Sequence, residues 1–225
     1  MNIAIEYQYH TPTRLHISPR KPALKHQLFL PMSGLVLIRI GRLDYAIEPG
    51  QAFWVPQSCL HSVTLLPNTQ LHQVSFSVRL LDAFPQQAGF FTPSPLLSAL
   101  LDRAQQLQQR FDDAHRDTAF NDLLNVIKNE ATLFCPQLNS TALSTIIQNW
   151  QHLAPSSSVE LSSDTEPYWP TEISDKDGVE RLLLAVRVRE AKRQQLSGLK
   201  ESQIKGALFP EHAQSLQEIL SPWFD

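Results

Sequence analysis

Between Gln27 and Val63 the apolar residues fall into short runs, each closed by turn-forming residues: Ser33-Gly34, Gly41-Arg42, Pro49-Gly50 and Pro56. No helical period fits between these breaks, so the segment must fold as strands and turns. Leu35 to Ile40 is an apolar run. After Gly41-Arg42, Leu43, Tyr45 and Ile47 alternate with Asp44, Ala46 and Glu48, which is the pattern of a β-hairpin with one face buried. Phe53 to Val55 forms a short strand that Pro56 ends, and Ser62 to Leu66 forms another. Further on, Val74, Phe76 and Val78 alternate with Gln73, Ser75 and Ser77. Several short strands at close spacing predict a barrel or sandwich over residues 1–85.

After Pro85 the period changes. Ser94-Pro95 reads as an N-cap followed by a proline in the first helical turn. Leu96, Leu97, Leu100, Leu101, Ala104 and Leu107 then form an apolar helical stripe. A second helix is predicted from Asp117 to Phe134, with Phe120, Leu123, Leu124, Ile127 and Ala131 on one side. Residues 90–136 are thus a helical segment for docking on the barrel or on a second copy of the chain. A third helix is predicted around Leu143, Ile146, Ile147 and Trp150. From Ala154 to Lys176, serines, acidic residues and prolines replace the apolar pattern, as in a linker. Helices are expected again at Val179 to Leu196, Lys200 to Leu208 and Glu211 to Leu220, so residues 137–225 form a third, helical region. The fold class is α+β, a β-barrel followed by an all-α part.

Composition excludes several functions. A net charge of -3 excludes a strongly basic protein that coats nucleic acid, though not a local basic face. Cys59 and Cys135 lie far apart and form no CxxC pair, so neither a zinc site nor a disulfide framework is expected. No stretch approaches the roughly 18–20 apolar residues needed to cross a bilayer. The first residues lack the cationic start of a signal peptide, and a cytoplasmic location is expected. With seven glycines there is no phosphate-binding loop, and neither a nucleophile elbow nor paired carboxylates on one strand occur. The chain is therefore expected not to be an enzyme and to need no cofactor.

Gln27-Leu28, Ser33-Gly34, Pro49-Gly50, Trp54-Val55-Pro56 and His61 follow one another in an order that resembles the N-terminal cupin barrel of AraC-family transcription regulators. The resemblance implies a barrel mouth that binds a small effector, with Gln27, Tyr45, Trp54 and His61 as candidate ligand-binding residues. Metal-using cupins carry a His-x-His pair and an acid where this chain has Lys21, Ala23 and Gln27, so no metal is expected. His16, His26 and His72 are the histidines that a barrel could bring to His61.

Arg187, Ala191, Lys192 and Leu196 resemble the long helix that connects two helix-turn-helix units in the same family. The resemblance implies DNA contact through Arg187, Arg189, Lys192 and Arg193, in a cluster that also includes Arg181. Glu211, His212, Gln214 and Ser215 would reach base edges. The chain departs from the family pattern here: Leu208 replaces the expected glycine before Phe209-Pro210, and the first unit lacks apolar helix. From residue 136 onward, twelve acidic residues face eight basic ones. The expected partners are DNA, a small-molecule effector and a second copy of the chain, with no membrane. The alternatives are a regulator-derived module that acts through protein partners without DNA, and a metal-dependent cupin enzyme.

Overall fold

The computed structural model describes residues 4–110, 117–152, 176–210, 212 and 214–224. Apart from Lys176, the serine-rich stretch expected as a linker lies outside them, as does Glu211. Among the described residues the strands come first: β1 (Ile5–His10), β2 (His16–Ile17), β3 (Lys21–Pro22), β4 (His26–Ser33), β5 (Val36–Ile40), β6 (Leu43–Ile47), β7 (Ala52–Val55), β8 (Leu60–Leu65), β9 (Gln70–Phe76) and β10 (Gly89–Phe91). The α-helices that follow are α1 (Pro95–Arg110), α2 (Thr118–Ala131), α3 (Ala142–His152), α4 (Lys176–Leu196), α5 (Glu201–Leu208) and α6 (Leu216–Leu220). Among the described residues, no helix is long and apolar enough to cross a membrane.

The strands form two antiparallel sheets, one in the order β1-β9-β4-β7-β10 and the other β2-β8-β5-β6, with β3 also paired to β8. Successive side chains on a strand point to opposite faces, so each sheet sorts its residues into an inner and an outer set. Phe29, Val36, Ile38, Ile47, Phe53, Leu65 and Leu71 meet between the sheets. On the outer face of the first sheet, Leu28, Leu30, Trp54, Val74 and Phe76 pack beneath Leu97, Leu101, Phe120 and Ile127 of α1 and α2. On the outer face of the second, Leu35, Leu37 and Ala46 pack beneath Leu143 and Ile147 of α3 and Leu182, Leu183 and Val186 of α4. Helices therefore cover both sheets. For this reason the 44, 46, 48 face of the β6 hairpin, expected to meet water, is buried throughout.

β10 lies past residue 85 and completes the first sheet beside β7. Its three residues are too few to show alternation. Gly89 has a positive φ of 155°, and a Cβ there would come within 2.3 Å of the Gln137 backbone, so only glycine fits beside the Phe90–Gln137 bridge.

The helix starts follow their caps. The Ser94 hydroxyl accepts from the Leu97 amide at 3.0 Å, and the Asp117 carboxylate accepts from Phe120 at 2.8 Å. α2 ends at Ala131, and Phe134 stacks on Phe91 with ring centres 4.1 Å apart. α6 begins at Leu216, five residues later than the apolar pattern suggested. Ser215 and Glu218 form a reciprocal capping box that fixes the start there. α4, α5 and α6 share a core of Val188, Ala191, Ile204, Phe209, Leu216, Ile219 and Leu220, joined by Leu15 from the barrel.

Candidate functional site

One end of the barrel is left polar. Where Phe29 and Leu65 cap the apolar interior, the inward positions change to Gln8 and His10 on β1, Gln27 on β4, Gln73 and Ser75 on β9, and His61 on β8. With His16 on β2 and Lys21 on β3 they line a cavity of about 360 Å³. Gln27 and His61, both singled out in the sequence, therefore meet in one cavity. His10, Gln73 and Ser75 were missed. The signal for His10 was present in the alternation of Glu6, Gln8 and His10 with Ile5, Tyr7 and Tyr9 on β1, and that for Gln73 and Ser75 in their alternation with Val74 and Phe76 on β9.

The cavity is equipped for hydrogen bonding. His10 Nε2 and the Gln73 side-chain oxygen are 2.8 Å apart. His61 Nδ1 is 3.0 Å from the Cys59 carbonyl, which fixes that nitrogen as the donor and leaves Nε2 as the acceptor in the neutral ring. Gln27 Oε1 is buried with no hydrogen-bond partner, an arrangement that favours a donor brought in by a ligand. Lys25 is paired with Glu6 at the rim. Among the described residues, no three His, Cys, Asp or Glu side chains stand close enough to hold a metal ion.

Burial lowers the pKa of His10 and His61; for His10 the bond to Gln73 opposes the shift, and for His61 the Cys59 carbonyl does. Burial lowers His26 as well, and also His72, where Asp102 opposes it. A histidine whose folded pKa lies below its ordinary 6.5 binds its proton less readily when folded, so stability is full above that value and falls as pH drops through it. Glu48, raised by burial, opposes this as a single group. The chain is expected to be less stable at pH 5 than at pH 7.5, as measured by urea midpoints, with part of the difference removed by His72→Gln.

Two candidate ligand residues lie elsewhere. Tyr45 points inward but is 5% exposed and packs against Phe53 and Phe90 in the closed part of the barrel. Trp54 points outward. Strand alternation sends its neighbours Phe53 and Val55 inside, and the indole lies beneath the helices with Nε1–H donating to the Pro85 carbonyl at 2.9 Å. His26 and His72 also face outward. His26 stacks on Trp54 at 5.6 Å, and His72 Nδ1 is 2.7 Å from the Tyr7 hydroxyl. Of His16, His26 and His72, the histidines that a barrel could have brought to His61, only His16 shares its cavity.

The cationic cluster of α4 is not a free face. Arg189, a DNA-contact candidate, is 5% exposed and grips Asp44 of β6 through both terminal nitrogens at 2.9 and 2.8 Å. Asp44 is fully buried, and Arg39 approaches it at 3.7 Å and Glu190 at 3.8 Å. Arg193 is tied to Glu190. Lys192 Nζ lies 5.4 Å from the centre of the Phe224 ring. Arg187 is half-buried, while His212, Gln214 and Ser215 are exposed. Ser215 uses both its hydroxyl and its amide to cap α6. The α4–α6 cluster is thus packed on the barrel through α4 and Leu15.

The chain is thus a β-barrel with a polar mouth, covered by helices on both outer faces. The family model for the AraC-like ligand binding domain matches residues 2–147, and the chain belongs to that family. Among solved structures, ToxT from Vibrio cholerae is similar at 11% identity over 98% of this chain and 94% of that one, with a TM-score of 0.34. ToxT from Vibrio cholerae O395, bound to (E)-4-(8-methylnaphthalen-1-yl)but-3-enoic acid, is similar at 12% identity over 96% and 93%, with a TM-score of 0.33. A cupin superfamily protein from Desulfitobacterium hafniense matches 34% of this chain and 71% of its own at 12% identity, with a TM-score of 0.32. A search of curated proteins returned no match.

Proposed function

We propose that the chain is the sensor part of an AraC-type regulator, taking a small, polar, hydrogen-bonding ligand in the barrel mouth. The observation that carries this reading is the buried, unpartnered oxygen of Gln27 in the same cavity as His61 and the His10–Gln73 pair. A ligand that donates to Gln27 satisfies an oxygen that otherwise sits at a cost, and His61 Nε2 offers it a second acceptor. Catalysis is no part of the reading. The test is a thermal-shift panel of sugars, polyols, amides and small carboxylates on the full chain. At least one class is expected to raise the melting temperature, as any ligand specific to the folded state must. That response is expected to disappear in Gln27→Leu and His61→Phe. A flat panel sinks the proposal.

For the output, protein contacts are favoured over DNA, because Asp44 occupies Arg189 and acidic residues outnumber basic ones beyond residue 136. Phosphate neutralisation supplies most non-specific DNA affinity, and the sequence beyond residue 136 is net acidic. The DNA reading keeps one support, the exposed run of His212, Gln214 and Ser215 before α6. A mobility-shift titration across salt separates the two. Retention of a specific duplex at 150 mM salt would favour DNA. Pairing of two copies belongs to the same proposal, since Leu96 of α1 and Val126 of α2 remain 52% and 42% exposed.

A further inference from the structure

We infer that β2 couples the barrel cavity to the C-terminal helices, an inference about regulation that rests on the cavity being the ligand site. The segment around β2 has two working faces. His16 and Ser18 line the cavity. Leu15 and Ile17, which alternate with them, face the other way and pack into the core shared by α4, α5 and α6. Leu15 is 4% exposed and sits among Val188, Ala191, Phe209 and Leu216, so the barrel contributes a side chain to the middle of the helical cluster.

The backbone repeats this connection. The Leu15 amide donates to the Trp223 carbonyl at 3.0 Å, and the Arg14 guanidinium donates to the Phe224 carbonyl at 2.6 Å. On the cavity side, Ser18 exchanges two bonds with Val63 of β8, each 2.8 Å long. β2 itself pairs only with β8, through His16 and Ile17. Such a short strand follows whichever side moves. Leu15 is close-packed and cannot absorb a displacement gradually, so a shift of the strand from its cavity side, where Ser18 is bonded to Val63 and His16 is exposed, is passed to Leu15. Linkage then works both ways: a ligand that moves β2 changes how firmly α5 and α6 are held, and loosening those helices changes the cavity.

The test is amide hydrogen exchange on the full chain without ligand, comparing His16→Trp, Leu15→Ala and the conservative His16→Gln. The bulky His16→Trp, which perturbs only the cavity side, is expected to speed exchange in α5 and α6 by about tenfold, while β4 and β9 stay as in the parent. Leu15→Ala is expected to do the same and also to speed exchange at the Ser18 and Val63 amides. His16→Gln should leave every rate near the parent value. Parent-like exchange of α5 and α6 in His16→Trp overturns the coupling. Equal loss of protection in β4 and β9 overturns it too, since β2 would then be only a part of the common fold. Because no ligand is added, failure here leaves the ligand reading standing, and a flat ligand panel leaves the coupling standing.

Discussion

Replacing Asp44 with alanine is expected to lower stability by about 3–5 kcal/mol, the cost of stripping one partner from a buried ion pair. Asp44 has no exposed surface and holds both terminal nitrogens of Arg189 across 145 positions of sequence. Without it, the guanidinium groups of Arg39 and Arg189 share a covered space, with Glu190 as the remaining counter-charge 3.8 Å from Arg39. Arg189→Leu is expected to cost less, because Arg39 remains 3.7 Å from the stranded carboxylate. The double variant Asp44→Leu with Arg189→Leu should recover most of the loss, since an apolar pair of similar volume avoids the desolvation of both charges. Urea unfolding of the four proteins gives the coupling energy directly. A loss below about 1 kcal/mol in Asp44→Ala would show that the pair is solvated like a surface bridge. The ion pair fixes where α4 sits on the barrel: apolar residues alone, such as Leu182, Leu183 and Val186, would let the helix slide by a turn.

The same pair marks where the sequence was legible and where it was not. The strands of the barrel were readable because Gly41, Pro49-Gly50 and Pro56 set their ends locally. The start of α1 was readable to the residue because Ser94 and Pro95 announce it, and its leucines repeat at helical spacing. Asp44 and Arg189 were each assigned a solvent role, since a single charged residue carries no mark of a partner so distant in sequence. Trp54 shows the same limit in a strand. Alternation says that it opposes Phe53 and Val55, but not which face holds the cavity. When helices cover both outer faces, both sets are apolar and the period alone cannot tell inside from outside. The polar mouth was half legible. Gln27 and His61 stood out through the family resemblance, whereas alternation gave the face of His10 and Gln73 and the register of β1 on β9, with Gln8 opposite Gln73, was needed to bring them together. The start of α6 was in plain view as Ser215-x-x-Glu218.

Trp54→Ala is expected to cost about 3–5 kcal/mol, the range for removing a large buried aromatic side chain. The ring has no exposed surface and stands at the centre of an aromatic layer: His26 stacks on it at 5.6 Å, Phe134 meets it edge-on at 5.7 Å, and Phe76 and Phe84 lie at 5.8 and 5.9 Å. Trp54→Phe keeps much of that contact but loses the bond from Nε1 to the Pro85 carbonyl, so about 1–3 kcal/mol is expected. The loss is also expected to be local. Trp54 joins the first sheet to α1, α2 and the Phe134 turn, so exchange in those helices should rise before exchange in β5, β6 or β8 does. The cavity, on the other face of the sheet, should be untouched: Trp54→Phe is expected to keep any thermal-shift response that Gln27→Leu abolishes. If Trp54→Phe loses that response while its α1 and α2 amides exchange at the parent rate, the ligand reaches the outer layer, and the cavity at Gln27 and His61 is not the binding site.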